Sequence, residues 1–125
     1  MKRVIPKKCY EGKPCSVVAV GSALGLADRA SISGLKSPQL HEDGYLSLKG
    51  MDALVRANLR VKRVEYFKKG QRPALRDYAH LHKGQKAVIC LLGHFVYFDG
   101  RDYHSFFWNG GDPVVQAWVL KEEEL

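Results

Sequence analysis

Cysteine is scarce in this chain: three residues, Cys9, Cys15 and Cys90, with no CxxC pair among them. An odd count without paired spacing excludes a disulfide framework and a cysteine zinc site, and suits a reducing compartment. Long hydrophobic runs are missing, and no window approaches the roughly 20 apolar residues of a membrane span. Met1-Lys2-Arg3 is followed by Val4-Ile5-Pro6-Lys7-Lys8 rather than by an apolar stretch. No secretory signal is read there, so a cytoplasmic location is expected. Acid is in short supply: 13 Asp and Glu stand against 20 Lys and Arg, a formal charge of +7. Such a surface raises the local concentration of anions and admits an acidic protein partner. Neither an internal repeat nor a low-complexity tract divides the chain.

At 125 residues the chain suffices for one core and is too short for two ordinary domains. A single domain over 1–125 is expected, with residues 1–11 a basic arm for which flexibility is allowed. Residues 15 to 27 carry Val17, Val18, Val20, Ala23, Leu24 and Ala27 at helical spacing, interrupted by Gly21 and Gly25. Either a neighbouring backbone packs closely at a glycine or the helix ends early, with the end placed near Leu26. The stretch 28–46 reads as irregular surface with a helical turn after Pro38. Ser47 caps a second helix whose Leu48, Met51, Leu54, Val55 and Leu59 share one face. Arg60 to Phe67 reads as a strand, and Pro73 to His82 as a third helix.

From Gln85 the pattern is all strand: Lys86–Leu92, Phe95–Phe98, a turn at Asp99-Gly100-Arg101-Asp102, Tyr103–Trp108 and Val114–Leu120. Helices first and an antiparallel sheet last make an α+β fold. The basic cluster from Arg56 to Arg76 reads as a solvated face. It lies in a different segment from the aromatics of 95–108, which argues against nucleic-acid binding. Cys90, inside Ala87-Val88-Ile89-Cys90-Leu91-Leu92, reads as small core filling. His41, His80, His82 and His104 read as surface residues, and no cofactor or metal is called for.

Chemistry enters at Cys15. A thiol at a helix start, following Gly12-Lys13-Pro14, is placed where the helix dipole favours its reactive thiolate. Its backbone N–H can also face a developing oxyanion. His94, after Gly93 at the start of a strand, can supply the base. An even-numbered loop around Asp99 to Asp102 pairs His94 with Ser105 or Phe107 and puts Asn109 on the same face. An odd loop substitutes Trp108 and leaves Asp112 to orient the ring. Thiol, imidazole and carboxamide are the parts of a Cys-His-Asn nucleophilic site.

These residues carry a resemblance. Cys15 at a helix start, a helix near 49–59 after Asp43-Gly44-Tyr45-Leu46-Ser47, then Gly84-Gln85-Lys86-Ala87-Val88-Ile89, Gly93-His94-Phe95-Val96 and Asp112-Pro113 together resemble the papain-like cysteine peptidases. The bacterial double-glycine leader peptidase branch is the most similar, over residues 9 to 120. The resemblance implies a papain-like fold with the cysteine helix packed on an antiparallel sheet. It also implies Cys15 as nucleophile, His94 as base, Asn109 or Asp112 as orienter, and a peptide or protein substrate. Two departures stand out. Such enzymes have a glutamine six residues before the nucleophile, where Cys9 stands here, and the leader-peptidase glycine after the nucleophile is Ser16. The alternative reading is a catalytically silent papain-like fold that acts as a basic protein-binding module or inhibitor.

Overall fold

The computed structural model describes residues 1–35 and 47–122. The turn expected after Pro38, His41, the Asp43–Leu46 part of the resemblance and the last three tail residues lie outside them.

Alternation in one strand organises the molecule. Strand β3 (Ala87–Leu91) is buried at every position, and successive side chains point to opposite faces. Val88 and Cys90 enter one core with Val115 and Trp118, against Ala19 and Val20 of α1 (Cys15–Leu24) and Met51, Leu54 and Val55 of α3 (Leu48–Asn58). Ala87, Ile89 and Leu91 enter the other, against Leu75, Tyr78 and Ala79 of α4 (Leu75–Leu81). A continuous apolar run is thus the mark of a strand covered on both faces.

Among the described residues six strands form one sheet in the order β1-β5-β4-β3-β6-β2, where β1 is Arg3–Val4, β2 Val61–Tyr66, β4 His94–Phe98, β5 Tyr103–His104 and β6 Val114–Leu120. All neighbouring pairs are antiparallel except β1 with β5, which is parallel, so the sheet is mixed rather than antiparallel as expected. The reason is the basic arm. Tyr103 N–H donates to Lys2 O (3.2 Å) and Ser105 N–H to Val4 O (3.1 Å), adding residues 3–4 as an edge strand. A two-residue strand leaves no periodic signal in sequence.

The helices follow their sequence signals with local corrections. Ser47 Oγ accepts from Gly50 N–H (3.1 Å) and caps α3 as expected. A short helix α2 (Arg29–Ser33), capped by Asp28, occupies part of the stretch read as irregular. Helix α1 stops at Leu24, two residues before the expected end, because Gly25 adopts φ 71° and Leu26 N–H returns to Gly21 O (3.1 Å). Gly21 lies inside the helix, and a side chain rather than a backbone packs on it: an added Cβ would stand 2.6 Å from the Tyr10 ring. Tyr10 is buried and its hydroxyl donates to Leu26 O (2.8 Å), so the ring cannot retreat cheaply.

Alanine normally stabilises a helix interior by about 1 kcal/mol over glycine. Here the clash should reverse the sign, and Gly21→Ala is expected to lower stability by about 1–2 kcal/mol in urea unfolding. Adding Tyr10→Leu should erase the penalty of the alanine; a stabilised single variant would contradict this packing.

Candidate active site

Cys15 is the first residue of α1, after Pro14 in an extended conformation. The first i→i−4 bond of the helix is Val18 N–H to Pro14 O (3.0 Å), so the N–H groups of residues 15–17 lie outside the helical ladder. The cysteine is half-buried and packs at the margin of the core that contains Cys90 and Phe95. Burial, and secondarily the neighbouring Cys15, pushes the Cys90 thiol up to about 12. Cys90 is inert core filling, which leaves Cys15 as the thiol open to a cleft.

The cleft, about 230 Å³, opens between the start of α1 and the ends of β4 and β5, and both Cys15 and His94 line it. His94 begins β4, against which α1 packs. Its Nε2 lies 3.0 Å from Ser105 Oγ. Ser105 Oγ donates to Asn109 Oδ1 (2.7 Å), and Asn109 Nδ2 donates to Asp112 Oδ2 (2.8 Å). Ser105 and Asn109 are buried, so each of these partners matters.

The chain of bonds has only one consistent direction. A carboxylate accepts and cannot donate, so Asn109 must turn its NH2 to Asp112 and its carbonyl oxygen to Ser105. Ser105 then donates its single proton to Asn109, and its oxygen accepts both from Phe107 N–H (3.0 Å) and from His94. His94 must therefore carry its proton on Nε2. The neutral ring presents the Nδ1 lone pair, which makes no hydrogen bond among the described residues. The Phe107 ring closes one side of the imidazole, edge to face at 5.5 Å. Burial holds the imidazole below its ordinary range, and the charge of Asp112 opposes that shift more weakly.

The segment that carries Ser105, Asn109 and Asp112 is tied on three sides. Arg3 Nη1 donates to Phe106 O (2.7 Å), and the guanidinium carbon lies 4.4 Å from the centre of the Trp108 ring. Tyr103 Oη accepts from Asn109 N–H (3.1 Å). At the start of α4, the N–H groups of Leu75 and Arg76 donate to Asp112 O and Gly110 O (both 2.9 Å). Those two donors would otherwise be orphans of a helix end.

All four residues singled out from the sequence lie in this neighbourhood, in an order the sequence did not supply. Among the described residues no hydrogen bond joins Asn109 to the ring; Ser105 bonds both, and Asp112 bonds Asn109. The four-residue loop 99–102 is even and pairs Tyr97 with His104 and Phe98 with Tyr103, but the ladder stops at His104 instead of running to Trp108. His104, read as a surface residue, is half-buried, lines the cleft and bonds Asp99 through Nε2 (2.9 Å). Lys13 also lines the cleft, and only its position two residues before the cysteine could have drawn attention to it. Phe106 and Phe107 line the cleft too, so the aromatics of this segment are not all core. Cys9 belongs to a 3₁₀ turn (Lys8–Tyr10) and packs beside Val18 and Ile32, so it offers nothing in place of the missing glutamine.

Comparison with family models, with curated proteins and with solved structures finds no match for this chain. Among the described residues no cluster of three or more His, Cys, Asp or Glu can hold a metal, and no helix is long and apolar enough to cross a membrane.

Because folded His94 takes up a proton less readily than it does in the unfolded chain, the unfolded state binds more protons just below the ordinary imidazole value of 6.5. Stability should rise with pH across that window and be lost as pH falls through it. Urea unfolding over a pH series is expected to show this slope, and His94→Gln to flatten it. An equal slope in both proteins would place the titrating group elsewhere.

Proposed function

We propose that the chain is a papain-like cysteine hydrolase or acyltransferase acting on a peptide amide. One observation carries the reading: a thiol at a helix start and an imidazole line the same cleft, and a buried hydrogen-bond chain keeps the proton of that imidazole on the nitrogen held by Ser105. Cys15 Sγ attacks the carbonyl carbon and passes its proton to His94 Nδ1. The carbonyl oxygen gains the negative charge, and the N–H groups of residues 15–17, outside the helical ladder, are the donors assigned to receive it. His94 then returns the proton to the leaving nitrogen as the C–N bond breaks, leaving a thioester on Cys15. Water, or an acceptor nucleophile, attacks the thioester with His94 again taking the proton.

A lowered imidazole basicity favours a neutral thiol–imidazole pair at rest, with proton transfer during attack, over a pre-formed ion pair. Ser105, Asn109 and Asp112 act as positioning residues in this scheme. They hold the ring's rotamer and tautomer, and they stabilise the imidazolium that forms when Nδ1 takes the thiol proton.

The catalytically silent alternative is favoured by Cys9, because no side-chain donor stands where the family's glutamine would. A single missing oxyanion donor costs about 100- to 1,000-fold in a hydrolase. A chain with a net charge of +7 could then hold an acidic partner protein in the same cleft region without turnover.

Iodoacetamide labelling near neutral pH, read by mass spectrometry at each cysteine, separates the two. Under the hydrolase reading Cys15 reacts faster than Cys9, and His94→Ala lowers its rate by at least about 10-fold. Ser105→Ala should produce an intermediate loss and move the pH profile of the reaction, since it releases the tautomer. If Cys15 reacts no faster than Cys9 and ignores His94→Ala, the thiol is not activated and the silent reading stands.

A further inference from the structure

We propose that the cleft selects acyl groups that carry a carboxylate, as in an acidic peptide, and that Lys13 is the residue that determines this preference. The inference deepens the hydrolase reading and rests on it for the chemistry after binding. The walls are hydrocarbon: Val18, Phe95, Phe106 and Phe107. Among the polar groups, Ser105 is fully engaged by His94, Asn109 and Phe107, and His104 is bonded to Asp99.

Lys13 differs from all of these. Lys13 lines the cleft and is exposed; its backbone N–H donates to Tyr10 O (3.1 Å), and its ammonium makes no ion pair or hydrogen bond among the described residues. Two carboxylates bonded to residues of the site are occupied, Asp99 by His104 and Asp112 by Asn109. Lys13 is the one Lys, Arg, Asp or Glu among the described residues that line the cleft, and it stands beside low-dielectric walls, a setting that concentrates anions. Its volume of about 230 Å³ is below the usual range of small-molecule sites, about 300–1,000 Å³, and fits a short side chain. A compact acyl group with a carboxylate at its edge meets both constraints: the body covers the aromatic wall and the charge faces the ammonium.

The test compares alkylation of Cys15 by iodoacetate, an anion, with alkylation by iodoacetamide, its neutral isostere. The same thiolate attacks both reagents, so thiol acidity and His94 cancel in the ratio and the charge preference remains. Lys13→Gln is expected to lower the iodoacetate-to-iodoacetamide ratio at Cys15 by about threefold or more. Lys121→Gln, which removes the same charge from a separate cleft beside Arg60 and Lys86, should leave the ratio unchanged. Buried Cys90 staying unlabelled reports that each variant is folded.

A ratio that Lys13→Gln does not move, or that both variants lower equally, overturns the proposal. Either result leaves the hydrolase reading in place if Cys15 still depends on His94. Conversely, a Cys15 indifferent to His94 removes that reading whatever the ratio shows.

Discussion

A carboxamide locked between a carboxylate and a hydroxyl is the constraint on which the candidate site depends. Asn109 can face Asp112 only with its NH2 group, and that single requirement propagates through Ser105 to the imidazole of His94. The neutral bonds in the series are individually modest, about 0.5–1.5 kcal/mol net, and the one to the Asp112 carboxylate about 1.5–3 kcal/mol, but the alternative is a buried polar group without a partner. Together they choose one tautomer out of two. The consequence is chemical rather than structural: the lone pair left on the neutral ring is the one on Nδ1.

Such a chain is useful only if its carrier is rigid, and residues 105–112 have little regular structure of their own. Their order is borrowed from neighbours of three kinds: an arginine from the amino-terminal strand, a tyrosine hydroxyl from β5 and two peptide groups at the start of α4. Residues 1–4, within the stretch 1–11 that reads as a basic arm, are thus part of the support of the site. The parallel pairing of β1 with β5 and the contact of Arg3 with Phe106 and Trp108 join the amino-terminal strand to this loop.

Much of the secondary structure was legible, because it follows from periodicity and caps. The apolar spacing of α3 and its Ser47 cap, the continuous burial of β3 and the Asp-Gly turn before β5 needed no knowledge of neighbours. What escaped was brief or borrowed. Strand β1 is too short for a pattern, α2 is a single capped turn and a half, and the early stop of α1 follows from a left-handed glycine with Tyr10 lying on the preceding turn. Ser105 was legible as a cross-strand partner of His94 but not as its link to Asn109. Parity arguments assume that a strand continues, and this hairpin ceases after two pairs.

The sequence by itself determined the class of the fold, the helix that presents Cys15 and the residue types of the candidate site, since these depend on local spacing and intrinsic chemistry. Only the tertiary structure decided that Ser105 intervenes between His94 and Asn109, that Lys13 and His104 border the same cleft, and that Cys90 is sealed while Cys15 is open. Those outcomes turn on distances between segments remote along the chain, and on burial, which converts a hydrogen bond of small net value into a fixed direction for a proton. Local pattern carries no record of either.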